Sequence, residues 1–546
     1  MPTLEVSKKD LEKLVGKKLS EKEIEEHLMF VKGEIDGQDG DTLKVDVKET
    51  NRPDLWSTEG IAREIKARTG KEKGIPKYKT TKSKLTVNIE KSVKESRPFT
   101  VGAVLKGVKI TDELLIQLIQ LQEKVAMTFG RKRREAAIGV YDFDKIKGNI
   151  RYYGADPRTK KFVPLEFKVE MDLDEILEMH PKGKEYAHLL KGKKLYPVFE
   201  DAEGNVLSMP PVINSNYSGK VTQETKNLFV EVSGFNLETI NIALNVMVMA
   251  IADRGAKIET VTITDSNGKK YVTPDFGRKK IKIGIDYINK ITGLKLSEKE
   301  ATKLLQNARY EVKKKGKLFE LEYGNYRNDI LHPIDVVEDI LIGYGYNSIK
   351  TNKPEMSVVG FDNPETAHID KVRDVCVGMG LQEVLTFTLT SKEKQFEMIG
   401  ENENGFVEIS NPVSANRSIF RKNIYPELLE FLSKNKHNEY PQKIFEVGKT
   451  IELDNSTDTK TAEKTKVCVV MANKGYGFTQ IKSVFDAICK EMQIACTIKE
   501  STNKAFKEGK SAEIIGQSKG IFGELDEKTT EAFGIKQPVI VLEMEI

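Results

Sequence analysis

Lys18-Leu-Ser-Glu-Lys-Glu23 recurs letter for letter at Lys295–Glu300, and the likeness extends outward from both copies. A helical apolar pattern closing on a glycine precedes each, Asp10–Gly16 in the first and Asp286–Gly293 in the second. A charged, strand-like stretch follows, Thr42–Thr50 against Lys317–Asn325, and then an Arg-x-Asp-aliphatic step, Arg52–Leu55 against Arg327–Ile330. Such internal repetition means two related modules of roughly seventy residues, each read as helix, helix, strand, loop, helix. In both, a serine (Ser20, Ser297) stands three residues before a glutamate, the pattern of a capping box. Small helix-rich units with added strands look winged-helix-like. The modules are therefore read either as nucleic-acid readers or as packing units.

Around these copies the chain divides further. The first copy occupies 1–75, and Lys71–Lys84, polar, basic and broken by Pro76, reads as a linker. Residues 85–265 form one α+β domain. Leu85–Ile89 and Ile258–Ile263 alternate as strands, Asp112–Met127 is an amphipathic helix and Leu237–Arg254 an apolar one. A polar joint, Asp265–Gly277, leads into the second copy at 277–350. The last domain, 355–546, carries strand patterns at Leu385–Leu389, Lys443–Leu453, Lys466–Ala472, Gly520–Leu525 and Val539–Glu545, with a loop over Asp454–Lys466. That is an antiparallel α+β domain, and the whole is an α+β multidomain chain.

Composition narrows the function classes. The 546 residues hold 87 Lys+Arg against 83 Asp+Glu, a net charge of +4, which excludes a polybasic binder and leaves nucleic-acid contact to local patches. The four cysteines lack CxxC spacing and the six histidines form no HExxH, so neither a Cys-based zinc site nor a disulfide framework is expected. The charged N-terminus lacks a signal peptide's apolar core, and no apolar run is long enough for a bilayer. A cytoplasmic, non-membrane chain is expected. Walker A, GxGxxG and GxSxG patterns are absent.

Three clusters carry candidate chemistry. Asp335, Glu338 and Asp339 share one face of the helix that Pro333 opens, with Asp329 just before it. Four such carboxylates suit a hard cation, with magnesium the expected one, or else complement the helix dipole. Aligned without gaps, the first copy keeps Asp54 and Glu64 opposite Asp329 and Asp339, but has Gly60 and Arg63 opposite Asp335 and Glu338. The full cluster is thus more than the module needs to fold. Arg131, Lys132, Arg133 and Arg134 make the densest basic run, suited to phosphates or to a solvated face. Ser208 follows an apolar strand pattern, and Glu231 and Ser233, two apart, face one side of another.

Taken in order, Asn51–Glu64, Gly130–Arg134 with Ala137–Asp142, Met209–Asn214, Gly343–Asn347 and Phe445–Gly448 resemble the beta subunit of phenylalanyl-tRNA synthetase, archaeal/eukaryotic type. The resemblance covers the whole chain and implies a complex of two alpha and two beta chains. In it the alpha subunit binds ATP, phenylalanine and the tRNA end. It implies further that 355–546 is a degenerate class II synthetase-like, non-catalytic domain, with its frame around Gly380–Val384 and Arg421. Asp329, Asp335, Glu338 and Asp339 then match the family's Mg2+ site, where the last residue is more often Glu. The domain at 85–265 resembles the family's editing domain, which hydrolyses tyrosyl-tRNA made in error. Ser208, Glu231 and Ser233 fall on its amino-acid pocket, where the archaeal pattern has Asp and Thr at the last two positions. The basic run at Arg131–Arg134 is placed as a contact to the tRNA for phenylalanine. Editing has a physical rationale, because an apolar pocket rejects one added hydroxyl only about 10²-fold. No Ser/His/Asp triad is visible, so a positioned water is expected to do the hydrolysis. The rival reading is a non-enzymatic RNA-binding or assembly scaffold with an inert pocket.

Overall fold

The Ser20 hydroxyl accepts from the Glu23 amide at 3.2 Å, while the Glu23 carboxylate accepts from the Ser20 amide at 2.9 Å. This reciprocal cap starts the second helix of a module running β1 (Thr3–Ser7), α1 (Lys8–Val15), α2 (Glu21–Leu28), β2 (Gly33–Asp39), β3 (Thr42–Val47) and α3 (Thr58–Arg68). The computed structural model describes residues 3–546. Where the sequence pattern predicts one strand in this module, three form an antiparallel sheet in the order β1-β3-β2. β1 alternates apolar and polar residues but over only five positions, and β2 is polar and mostly solvent-facing, so the pattern along the chain marks neither strongly.

A larger domain follows, built on β4 (Thr80–Ile89), β5 (Phe99–Lys106), α4 (Asp112–Lys124), β6 (Ala136–Asp142) and β7 (Ile150–Ala155). It continues through the short β8 (Lys161–Phe162) and β9 (Met171–Asp172), then α5 (Leu173–Met179), α6 (Pro181–Tyr186), β10 (Tyr196–Glu200), β11 (Val206–Met209) and β12 (Ile213–Asn214). It closes with β13 (Asn227–Gly234), α7 (Leu237–Ala252), β14 (Lys257–Thr264) and β15 (Lys270–Thr273). Ten strands make one sheet, β12-β11-β10-β7-β4-β14-β5-β13-β6, with β15 on β14. The segments read as linker and joint each give up part of their length to this sheet. Thr80–Lys84 extends β4 and Lys270–Thr273 becomes β15, because ladder hydrogen bonding outweighs polar composition there.

One face of the sheet, with Val101, Ala103, Val230 and Val232, packs on α7 in a core that continues into Trp56, Ile61 and Ile65 of the first module. The other face is aromatic. Tyr152 stacks on Phe199 with ring centroids 4.2 Å apart, and Tyr141 on Phe229 at 5.8 Å. Glu231 and Ser233 belong to that second face.

The second copy runs β16 (Arg278–Gly284), α8 (Ile285–Thr292), α9 (Glu298–Asn307), β17 (Glu311–Lys315), β18 (Leu318–Gly324) and α10 (Pro333–Tyr344). Its sheet order, β16-β18-β17, repeats that of the first copy. So does its Ser297–Glu300 cap, with bonds of 3.3 and 2.8 Å. The two copies meet through buried charges. Arg52 forks Asp54 with bonds of 2.9 and 2.8 Å, and Arg327 forks Asp329 in the same way. Across the junction the Arg68 guanidinium pairs with Glu64 at 2.8 Å and with Asp339, which also takes bonds from Arg327 at 2.8 Å and Tyr310 at 2.7 Å. Burial pushes the Glu64 carboxyl up, but Arg68 and Arg52 pull it down to about 2. Asp339 is likewise held well below the carboxylate range by Arg327 and Arg68, against the effect of burial.

Lys353–Ile546 is a separate compact unit. Its seven-stranded sheet is antiparallel except for Gln382–Glu383, which runs parallel to Gln442–Leu453. Helices Pro364–Gly378 and Phe478–Glu491 cover one face, and Tyr425–Lys434 the other. Two readings change here. Thr461–Lys466 is strand rather than loop, because it pairs with Gln442–Leu453. Leu385–Thr388 forms no strand, leaving Leu385 and Phe387 exposed. Arg421 is buried against Glu446 at 2.7 Å and donates to Thr386 at 2.8 Å. Among the described residues no helix is long and apolar enough to cross a membrane.

Truncating one partner of a buried pair leaves an uncompensated charge and costs about 3–5 kcal/mol. Arg68→Ala is therefore expected to lose that much stability in denaturant unfolding. The Arg68→Ala/Asp339→Ala double variant should lose clearly less than the sum of the two single changes. Additive losses would mean that the copies are not joined through this pair.

Candidate functional site

Glu231 sits on β13 with Gly139 of β6 opposite it on one side and Gly102 of β5 on the other. Gly139 leaves room for the carboxyl group inside the sheet, whereas the space over Gly102 is filled by the Phe229 ring, 2.8 Å from where a Cβ would stand. The space at Gly139 is already taken, since a Cβ there would lie 2.2 Å from the Tyr141 hydroxyl and 2.7 Å from Glu231 Oε1. Tyr141, two residues along β6, faces the same side and brings its hydroxyl within 3.1 Å of Glu231 Oε1 and 2.8 Å of Ser208 Oγ on β11. Ser208 and Glu231 are 1 % and 2 % exposed, and both line a cavity of about 490 Å³. Its walls are Leu118 and Ile119 of α4, Ile138 and Val140 of β6, and Val212. The cavity surface is mainly apolar, with polar and charged side chains, Gln122, Asn214 and Asn216 among them, also on its wall, and its volume is in the size range of small-molecule sites.

Glu231 Oε2 is buried and makes no hydrogen bond. The Thr100 hydroxyl, which donates to Val232 O at 3.2 Å, and the Ser233 hydroxyl both lie close enough to favour the charged carboxylate, but neither makes a hydrogen bond of ordinary geometry to Oε2. Burial pushes the Glu231 carboxyl up to about 8, against the opposing pull of the Tyr141 hydroxyl and the Arg97 guanidinium. At neutral pH it is a neutral acid.

The expected pocket residues divide. Ser208 and Glu231 come together on the cavity wall, but Ser233 does not reach it. Its hydroxyl, two residues along β13 from Glu231, accepts from Arg97 Nε at 3.0 Å. The basic run divides too. Arg131, Lys132 and Arg133 all have positive φ (48°, 54° and 63°), a left-handed turn that costs about 1–2 kcal/mol per residue. Gly130 permits the turn, because a Cβ there would meet Ala136 O at 2.3 Å. Arg131, Lys132 and Arg134 are exposed. Arg133 instead braces the cavity, donating to Val212 O at 2.9 Å and Pro211 O at 3.2 Å, with its guanidinium 4.2 Å from the Tyr186 ring centroid.

Asp329, Asp335, Glu338 and Asp339 do share one small cavity, of about 40 Å³, but Lys32, Arg52 and Arg68 line it with them. Asp335 accepts from the Leu331 and His332 amides at 2.8 and 2.7 Å, capping α10. Glu338 pairs with Lys32 at 2.6 Å, and Asp329 and Asp339 are held by the arginines described above. Among the described residues no three carboxylate, imidazole or thiol side chains converge to hold a metal. Each of the four carboxylates gives at least one oxygen to a protein cation or amide, so as arranged here they form an ion-pair and capping network rather than a set of free magnesium ligands.

Sequence reasoning missed Tyr141, Gly139 and Arg97. The first two lie in the Ala137–Asp142 stretch, where period-two spacing puts both on Glu231's face of the sheet. Arg97 lies just before β5 in irregular chain and carries no local signal.

Comparison with known proteins adds an independent line. Residues 105–261 match the B3/4 domain family, 281–346 the tRNA synthetase B5 domain family and 349–546 the phenylalanyl tRNA synthetase beta chain CLM domain family. The chain is 46% identical to the phenylalanine–tRNA ligase beta subunit of Pyrococcus horikoshii, covering 100% of this chain and 99% of that one. Identity to the same subunit of Archaeoglobus fulgidus is 35%, covering 100% and 98%. A solved N-terminal fragment of the Pyrococcus horikoshii phenylalanyl-tRNA synthetase beta subunit is 49% identical with a TM-score of 0.61, covering 63% of this chain and 100% of the fragment.

The raised Glu231 carboxyl makes stability depend on pH. Between the ordinary value of 4.5 and about 8 the native state holds a proton that the unfolded chain has released. Stability contributed by the neutral acid is therefore complete below about pH 4.5 and is lost as pH rises through 8. Glu231→Gln should abolish this slope, gaining on the unmodified chain by up to the order of 5 kcal/mol at alkaline pH. Urea unfolding at pH 5 and 8.5 measures it, and parallel pH curves for the two proteins would contradict it.

Proposed function

The chain belongs to the phenylalanine–tRNA ligase beta-subunit family, and from that premise we propose that it works in a complex of two alpha and two beta chains and clears tyrosine joined to the phenylalanine tRNA in error. In this reading the alpha chain carries the ATP-dependent attachment of phenylalanine. Lys353–Ile546 is a class II synthetase-like frame without a nucleotide-gripping motif, and it supports that partner rather than catalysing. The two winged-helix-like copies spend their Arg-x-Asp faces on each other and act as packing modules.

The observation that carries the editing reading is Glu231, an acid buried in the wall of an apolar cavity with one oxygen unpartnered. A tyrosyl hydroxyl entering that cavity meets polar groups it can bond, whereas a phenylalanyl ring leaves them unsatisfied. A site built this way discriminates far more strongly than an apolar pocket that merely tolerates a hydroxyl. The cavity walls contributed by α4 and β6 hold the ring, and the exposed Arg131, Lys132 and Arg134 beside the cavity take tRNA phosphates, with Arg133 as their brace. Water attacks the ester carbonyl and the acyl–oxygen bond breaks; one water proton goes to the tRNA ribose oxygen, the other to solvent, and tyrosine leaves as its carboxylate. No side chain here is assigned as the base. The His180 ring faces Leu165 O with Nε2 at 3.1 Å and accepts from the Lys182 amide with Nδ1 at 3.1 Å, so neither nitrogen is free for that role.

Two outcomes are expected. The chain without its partner should give no phenylalanine-dependent ATP–pyrophosphate exchange; robust exchange would move the ligase site into this chain. In the assembled enzyme, Glu231→Ala should slow deacylation of preformed tyrosyl-tRNA by about 10- to 100-fold. Phenylalanine charging should stay unchanged, and Ser233→Ala should have little effect. Clearance at the unmodified rate in the Glu231 variant would place the pocket elsewhere and favour an inert scaffold.

A further inference from the structure

Tyr141 stands behind the cavity wall rather than in it, yet its single hydroxyl touches two of the polar groups that line the cavity, Ser208 Oγ at 2.8 Å and Glu231 Oε1 at 3.1 Å. It is fully buried, stacked on Phe229, and has room to approach only because residue 139 is glycine. We propose that Tyr141 is a positioning residue, a relay that decides whether Ser208 offers a ligand hydroxyl a proton or only lone pairs. The inference rests on the reading of this cavity as the site for a misattached tyrosyl group.

The argument is a count of protons. The two contacts of the Tyr141 hydroxyl need one proton each. When Glu231 is neutral, three protons are present, on Glu231, Tyr141 and Ser208. Glu231 Oε2 has no partner, and a buried donor without a partner is worse tolerated than an under-used carbonyl-type oxygen, so the carboxyl proton belongs on Oε1. It is donated to Tyr141, Tyr141 donates to Ser208, and the Ser208 proton is left for the cavity. When Glu231 is ionised only two protons remain. Both point toward the carboxylate, from Ser208 to Tyr141 and from Tyr141 to Glu231, and Ser208 can then only accept. Either state can bond a phenol, which both donates and accepts, but neither does anything for a phenyl ring. Without the Tyr141 hydroxyl the two wall groups are uncoupled.

Other charges bear on the relay. Arg97 and Tyr152 sense Glu231 from the buried side of the sheet. Glu123, Arg133, Glu166, His180, Lys182 and Lys220 stand on the cavity wall. Of these groups, the Tyr141 hydroxyl is the one that both bonds Glu231 and continues to Ser208.

The test uses the assembled enzyme and measures the ratio of tyrosyl-tRNA to phenylalanyl-tRNA deacylation across pH, so that base hydrolysis of the ester cancels. In the unmodified enzyme the ratio should change through the ionisation of Glu231. Tyr141→Phe should lower the ratio about tenfold or more and flatten its pH dependence, because Glu231 can no longer set the state of Ser208. Ser208→Ala, which removes the far end of the relay without touching the Tyr141 ring, should flatten the pH dependence. The Tyr141→Phe/Ser208→Ala enzyme should then discriminate no worse than Ser208→Ala alone. A merely structural Tyr141 would slow both substrates equally and leave the pH midpoint in place; that result, or a pH dependence of the ratio that persists in either single variant, overturns the relay. An unmodified enzyme that does not prefer tyrosyl-tRNA overturns the editing reading itself.

Discussion

Arg68 reaches across the junction between the two repeat copies, and the path of the chain between them depends on that reach. Its guanidinium is shared by Glu64 of its own helix and Asp339 of the other copy, all three buried. Desolvating these groups singly would cost more than any one contact returns. The structure answers by interlocking Arg52, Arg68 and Arg327 with Asp54, Glu64, Asp329 and Asp339, so that no buried charge stands alone. The ten-stranded sheet is spliced between the copies, and Arg309 and Asn307 of the second copy also bond backbone carbonyls near the end of the first. Pairing of the copies thus anchors both ends of the inserted domain.

The same physics gives opposite outcomes for two buried acids. Asp339 has arginines within bonding distance and stays ionised. Glu231 has a phenol, a serine and a more distant guanidinium, and burial wins. An ionised acid wrapped in cations makes a joint between modules. A neutral one with an unused oxygen, at an apolar cavity, makes a place for a hydroxyl-bearing ligand.

Acid spacing alone does not separate these roles. Asp329, Asp335, Glu338 and Asp339 look like a cation site from sequence because helical period places them on one face. What decides their chemistry is Lys32, Arg52 and Arg68, supplied from about three hundred residues earlier in the chain. Ser233 is a milder case. Its face was readable from strand period, but its partner, Arg97, comes from irregular chain 136 residues away.

The sequence by itself determined the local grammar: two copies of one module, the Ser20 and Ser297 caps, the helix opened by Pro333, the strand that puts Glu231 and Ser233 on one side, and the motifs that resemble a known family. These follow from backbone period and from contacts within a few residues, which a linear pattern records directly. Only the tertiary structure decided that Thr80–Lys84 and Lys270–Thr273 are strands, that Arg133 is a brace, and that Tyr141 joins Ser208, 67 residues on, to Glu231, 90 residues on. Those outcomes turn on which distant groups share a water-free space. Desolvation and hydrogen-bond satisfaction are properties of the packed neighbourhood, and neither leaves a periodic trace along the chain.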